Sequence, residues 1–144
     1  MAALQDPEIP RWTAVPSPYR PSDYNAWMEV QREQVRAGVG LHFLVVDQGD
    51  GLLGATGVQL TEVAPDIGYW CAREHRGRGY TARAVRLLSQ HLRALGFTRA
   101  DIYIREENLA SQHVAAAAGF TRVAGTTTVE RLGGGAVYVR FTLS

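Results

Sequence analysis

The residues with the most evident chemistry are Arg76-Gly77-Arg78-Gly79-Tyr80-Thr81, between a strand-like run ending at Ala72 and the most periodic helical stretch of the chain. A strand that enters a helix through a tight glycine turn aims several unpaired backbone N–H groups at one point. The helix dipole adds roughly half an elementary charge of positive potential there. Phosphate suits such a turn, and Arg76, Arg78, Arg83 and Arg86 fall within eleven residues around it. Two phosphate-binding signatures do not fit. A P-loop needs G-x-x-x-x-G-K-[ST], and the chain contains no lysine. A dinucleotide fingerprint needs a third glycine, where Ala82 stands, and an acidic residue about 20 positions later. The bare pattern is equally consistent with a plain turn whose arginines solvate a helix face.

The rest of the chain must build the frame for that turn. Its 144 residues, 46% of them hydrophobic, match one domain of roughly 100–200 residues, so residues 1–144 are expected to form a single domain. A chain of this size buries about 70% of its unfolded surface without covalent staples. Cys71 is the only cysteine, which provides neither a disulfide framework nor a cysteine cluster for zinc; no metal is expected, and a reducing, cytoplasmic setting fits. The opening MAALQDPEIPR has acidic and proline residues where a signal peptide requires a basic start and an apolar run. The apolar segments Phe43–Val46 and Val114–Phe120 are far shorter than the ~20 residues that cross a bilayer, so no membrane partner is expected. Fifteen arginines against fourteen acids leave a net charge of +1. No field of one sign calls for nucleic acid or anionic lipid.

Ser22 is a candidate N-cap for a helix from Asp23 to about Ala37, stopped by Gly38, with Trp27, Met28, Val30 and Val35 as a buried stripe. Runs over His42–Val46 and Leu52–Leu60, joined by Asp47-Gln48-Gly49-Asp50-Gly51, read as a hairpin, and Asp66–Ala72 as a third strand. Ala84, Val85, Leu88, Leu92 and Leu95 recur at helical spacing up to the stop at Gly96. Ala100–Ile104 reads as a short strand, and Ser111–Ala118 as a helix ended by Gly119. Thr126–Arg131 and Val137–Leu143, separated by Gly133-Gly134-Gly135, read as a closing hairpin. This order predicts a mixed α/β (α+β) fold with a mostly antiparallel sheet.

Arg76-Gly77-Arg78-Gly79-Tyr80-Thr81 resembles the R-x-x-G-x-[GA] acetyl-CoA motif of the GNAT acetyltransferases, with Thr81 in the place of the last small residue. The likeness extends to Ile67-Gly68-Tyr69-Trp70, similar to the family's central strand, and to Asn108-x-x-Ser111-x-x-Val114 with Ala118-Gly119-Phe120, similar to its second cofactor segment. With Pro16-Ser17-Pro18-Tyr19 included, it covers about residues 6–144 and is strongest to the RimJ/RimL-like branch of ribosomal-protein N-terminal acetyltransferases. It implies a sheet flanked by helices with a V-shaped splay between two parallel strands. The pyrophosphate of acetyl-CoA would rest on residues 76–81, and its pantetheine arm along Trp70, Cys71, Ala72 and Arg73, with Asn108 and Ser111 against the arm. The implied reaction is direct attack of an amine on the thioester, with a backbone N–H polarising the carbonyl and a proton donor for the thiolate. Cys71 is not needed as a nucleophile.

Many relatives carry a tyrosine donor seven residues after the asparagine, where this chain has Ala115. The resemblance assigns the role instead to Ser111, whose plain alternative is a first-turn serine, as an N-cap is for Asn108. Asp66 occupies a place where relatives often have glutamate and is the candidate base; His75, His113, Glu106 and Glu107 are the other titratable groups near the motifs. Trp12, Tyr19 and Tyr24 are the candidates for the acceptor side. An α-amine of pKa ~7.8 needs about 1 kcal/mol to lose its proton at pH 7, against about 4.6 kcal/mol for a lysine of pKa ~10.4. The expected acceptor is therefore a peptide or protein N-terminus or a small-molecule amine; a binding module that keeps the cleft without turnover is the alternative. The family opens with a strand before the segment similar to Asp6–Tyr19, and that strand has no counterpart here. His42–Val46 is therefore expected at a sheet edge, and the expectation is either that this apolar edge pairs with a second copy or that the chain is shortened at its start.

Overall fold

Strand periodicity in the first half of the chain produces a meander. In the computed structural model, which describes residues 2–132 and 135–144, β1 (Gly40–Val46), β2 (Leu52–Gln59) and β3 (Asp66–Cys71) pair antiparallel in sequence order. Asp47 sets the tight β1–β2 loop: its Oδ1 accepts the N–H groups of Gly49 and Gly51, both at 2.8 Å. The turn then leads into a helix, strand β4 (Ala100–Arg105), a second helix, and the short strands β5 (Thr121–Arg122) and β6 (Thr127–Thr128), before β7 (Val137–Leu143). The sheet runs β1-β2-β3-β4-β7-β5, with β6 also on β7. β3–β4 is its parallel pair among the described strands.

Two α-helices precede β1, the short α1 (Glu8–Trp12) and the longer α2 (Pro21–Arg36). The later helices are α3 (Tyr80–Ala94) and α4 (Leu109–Ala117). Ala82, Val85, Leu88 and Leu92 of α3 and Ala115 of α4 cover Val58, Ile67, Ile102, Ile104, Val139 and Phe141 in one core. Each fully buried Leu or Val there contributes about 1.5–3 kcal/mol.

Three expectations need correction. Ser22 does not cap α2. The helix starts at Pro21, where a missing N–H is harmless, and Asp23 accepts the Arg20 N–H at 2.7 Å. The expected apolar stripe of α2 is not buried: Val30 and Val35 are each 52% exposed, and the buried residue is Gln31. A helix packed against one strand presents a single narrow face, and here that face is Gln31 with the half-buried Met28 and Gln34 beside it. The first arm of the closing hairpin shrinks to Thr127–Thr128, because Glu130–Leu132 turns in a 3-10 helix and β5 takes the other register on β7. Gly133 and Gly134 of its turn lie outside the described residues. β1 does lie at the sheet edge, with Phe43, Leu44 and Val46 exposed.

Candidate active site

β3 and β4 share a single register, Asp66 opposite Asp101, backed by the Asp101 N–H donating to Pro65 at 2.8 Å. Beyond it, no register joins the two strands among the described residues, so the sheet splays open toward their C-terminal ends. Ala72 N–H donates to Leu53 on β2 at 2.9 Å. Backbone polar groups alternate sides along a strand, so those of Cys71 and Tyr69 face the splay; consistently, Arg76 Nε donates to Cys71 O at 3.2 Å from that side. Of the four positions expected along the arm, Cys71 thus presents its backbone to the cleft. Ala72 is buried, Trp70 half-buried, and Arg73 opens a 3-10 turn (Arg73–His75).

The turn suits an anion for a reason visible in its backbone. Gly77 and Gly79 have φ of +74° and +78°, a region that L side chains avoid, and nothing lies within 4 Å of where a Cβ would stand at either. Gly79 is also the N-cap of α3 and has no side chain to satisfy the first turn. The first intrahelical bond runs from Arg83 N–H to Gly79 O at 3.0 Å, which leaves the N–H groups of Tyr80, Thr81 and Ala82 without a helical acceptor. An open, uncapped helix start below a splayed strand pair fits a pyrophosphate-bearing thioester. The arginine cluster divides in two. Arg86 donates to Ala117 O at 2.7 Å, and Arg76 pairs with Asp6 at 2.5 Å, whereas Arg78 and Arg83 are exposed beside the turn.

Asn108 caps α4, its Oδ1 accepting the Ser111 N–H at 3.1 Å. Ser111 Oγ–H donates to Tyr69 Oη at 3.0 Å, and Tyr69 O–H donates to the Ser111 carbonyl at 2.9 Å. Burial pushes the Tyr69 phenol up to about 12, partly offset by the Ser111 bond. Ala115, at the place of the family's tyrosine, is fully buried in the core. Asp66 begins β3, half-buried. It shares strand parity with Trp70, while Tyr69 shares parity with the core residue Ile67. Asp66 and the Tyr69–Ser111 pair therefore belong to opposite faces of the sheet.

On the face opposite the core, Trp12 ends α1. Its indole N–H donates to Glu8 at 3.1 Å, and the guanidinium groups of Arg11 and Arg105 lie 4.4 and 5.8 Å from its ring. That places it beside the end of β4. Tyr19 is buried, its phenol pushed up chiefly by that burial and further by the nearby Asp23 and Tyr24, and Tyr24 is exposed on α2. A cleft of about 180 Å³ lies on the β4–β7 face, between Tyr103, Arg140 and loop residues 123–127. Asp101 is completely enclosed and is held by Arg99 at 2.9 and 2.5 Å, with Arg140 at 3.7 Å. Sequence reasoning missed Tyr69, Asp101 and Arg140. Arg99 stands just before β4, two residues from Asp101, and that opposite-charge spacing was a readable signal for the pair. Among the described residues, no three His, Cys, Asp or Glu side chains are placed to hold a metal, and no helix is long and apolar enough to cross a membrane.

The profile of the acetyltransferase (GNAT) domain family matches residues 1–121, and the chain belongs to that family. It is thus an N-acetyltransferase domain that uses acetyl-CoA as acetyl donor. Solved structures share the fold at low identity. An acetyltransferase from Salmonella typhimurium that modifies the N-terminal serine of 50S ribosomal subunit protein L7/L12 superposes with a TM-score of 0.75 at 22% identity, over 87% of this chain and 76% of that one. The microcin C7 self-immunity acetyltransferase MccE, in complex with acetyl-CoA and AMP, gives 0.75 at 21% identity, over 85% and 70%. A spermidine N-acetyltransferase variant from Vibrio cholerae gives 0.66 at 17% identity, over 83% and 74%. No curated protein matches the chain.

Proposed function

We propose that residues 1–144 act as one domain that acetylates a primary amine, foremost the α-amine of a peptide or protein N-terminus, with a small-molecule amine as the nearest variant. The observation that carries this reading is the splay of β3 from β4 directly above the uncapped start of α3. Acetyl-CoA supplies an activated acyl group. The amides of residues 77–81, with Arg78 and Arg83 beside them, hold its phosphates, and the backbone of Cys71 holds the arm, with Trp70, Ala72 and Arg73 flanking it. The acceptor amine attacks the carbonyl carbon, forming the N–C bond as the C–S bond breaks with its electron pair on sulfur. Ser111 hydrogen-bonds the departing sulfur, and Asp66 takes the nitrogen's proton through water from the other face. That proton ultimately neutralises the thiolate. Trp12 marks the acceptor side.

The similar structures' acceptors, a ribosomal-protein serine and spermidine, are both primary amines, which supports the acceptor class. CoA release with a panel of N-terminal peptides and small amines tests the reading. Turnover with peptide α-amines is expected. Tight acetyl-CoA binding with no turnover for any acceptor would replace it with a binding module, the reading that Ala115, in place of a tyrosine, favours. We place the protein in the cytoplasm and propose that the exposed β1 edge pairs with a second copy. A monomeric mass in solution would remove that pairing.

A further inference from the structure

Ser111 meets the departing sulfur in the reading above, yet its hydroxyl points at a residue to which no role has been given. Tyr69, on the β3 lip of the splay, reaches α4 and places one phenolic oxygen 3.0 Å from Ser111 Oγ and 2.9 Å from the Ser111 carbonyl oxygen. A single phenolic proton therefore has two acceptors on one residue. While it lies on the carbonyl, the Ser111 proton is bound to Tyr69. When it turns to Oγ, the Ser111 proton is free to point at a third partner, and only the two C–O torsions change. Ser111 itself is pinned, because Asn108 Oδ1 holds its N–H at 3.1 Å in the first turn of α4. We propose that Tyr69 is a positioning residue that fixes Ser111 at the splay and sets the direction of its hydroxyl toward the departing sulfur. This inference rests on the acetyl-transfer reading. No bond to Tyr69 forms or breaks, and its proton is not given up: burial keeps the phenol neutral up to about pH 12, so it keeps its own proton to donate while its oxygen accepts from Ser111. Hydrogen bonding to a charged form favours that form, so a correctly aimed Ser111 lowers the pKa of a thiol beside it.

The test uses CoA itself and needs no acceptor. In a Cys71→Ser background the bound CoA is the sole thiol, and its ionisation is followed by the ultraviolet absorbance of the thiolate. Relative to this background, Ser111→Ala is expected to raise the bound-thiol pKa by about one unit. Tyr69→Phe should produce at least half of that rise, with the CoA dissociation constant changed less than about threefold, and the double variant should match Ser111→Ala. A tyrosine that only fills space would alter thermal stability and leave the thiol pKa where it was. If Ser111→Ala itself leaves the thiol pKa unchanged, or CoA does not bind, the underlying reading of the site falls. If Ser111→Ala raises it and Tyr69→Phe does not, only the role of Tyr69 falls. A double variant well above Ser111→Ala would also overturn that role, because Tyr69 would then act on sulfur independently. Should Tyr69→Phe fail to fold, 3-fluorotyrosine at position 69 keeps the shape and strengthens the donor; it is expected to lower the thiol pKa further, and no change overturns the proposal.

Discussion

The helices on the two faces of the sheet are held by different forces. Against the core face, α3 buries Ala82, Val85, Leu88 and Leu92, and the nearby Ser89 satisfies itself on Val85 O at 2.8 Å. On the other face, α2 buries only Gln31, whose Oε1 has no hydrogen-bond partner among the described residues. Its remaining hold on the sheet includes a 2.9 Å bond between Gln34 and His42 and an edge contact of Trp27 on His42. α3, which follows the glycine turn, is thus fixed by apolar packing, which is non-directional and hard to displace. α2, on the opposite face, is held by few contacts and leaves valines in solvent. Such a division makes one face of the sheet rigid and leaves the other free to adapt or to receive a partner.

The comparison can be broken at several points. Gly79→Val is expected to have the largest effect: it forces a β-branched residue to φ +78° and fills the open space before the turn, so CoA affinity should fall about a hundredfold or more. Unaltered affinity by calorimetry would show that the phosphates lie elsewhere. Asp101→Ala comes next. It strips the buried partner from Arg99 and Arg140, whose side chains are 35% and 32% exposed. Discounted for that exposure, denaturant unfolding should show a loss of about 2 kcal/mol.

A third effect is confined to alkaline pH. The Tyr69 phenol titrates near 12 when folded and 10 when unfolded, so its contribution is complete below pH 10 and is lost as pH rises toward 12. Tyr69→Phe should flatten that loss, which approaches about 2–3 kcal/mol; an unchanged alkaline limb would contradict it. The acid side is weaker. The Glu8 N–H, and then Arg76, hold the Asp6 carboxyl below 3.8. Its stabilisation is therefore complete above that pH and declines as pH falls through the folded value, a decline Asp6→Asn should remove from an acid melting series. Val30→Ser and Val35→Ser on α2 should be smallest, within about 0.5 kcal/mol by thermal melting. A larger loss at either would mean that this face is covered.

Where local rules and tertiary burial agree, the chain was readable. The periodicity of α3 and the glycines at its start marked both the helix and the tight turn before it, because positive φ is a local demand that few residues meet. The resemblance supplied the splay, which no local pattern encodes, since it is defined by strands that stop pairing. α2 misled because Val30 and Val35 carry the same apolar signal whether or not anything packs on them. Tyr69 was visible only as a strand residue; its polar tip gained meaning when Ser111, 42 positions later, was brought within 3.0 Å of it. Sequence shows the charge density around Arg76 and Arg86 but not the Asp6 carboxylate and Ala117 carbonyl that engage them.

The lone β3–β4 register also bears on how cooperatively the molecule unfolds. β1, β2 and β3 make one leaf and β4, β7 and β5 another, joined by the Asp66–Asp101 pairing and by the common core beneath α3. A sheet with an unbroken ladder opens as a unit, whereas leaves joined so sparingly can open at separate free energies, which amide hydrogen exchange resolves. A thioester lying along both lips would couple the leaves, merging two exchange classes into one as its binding energy is added to that of the fold.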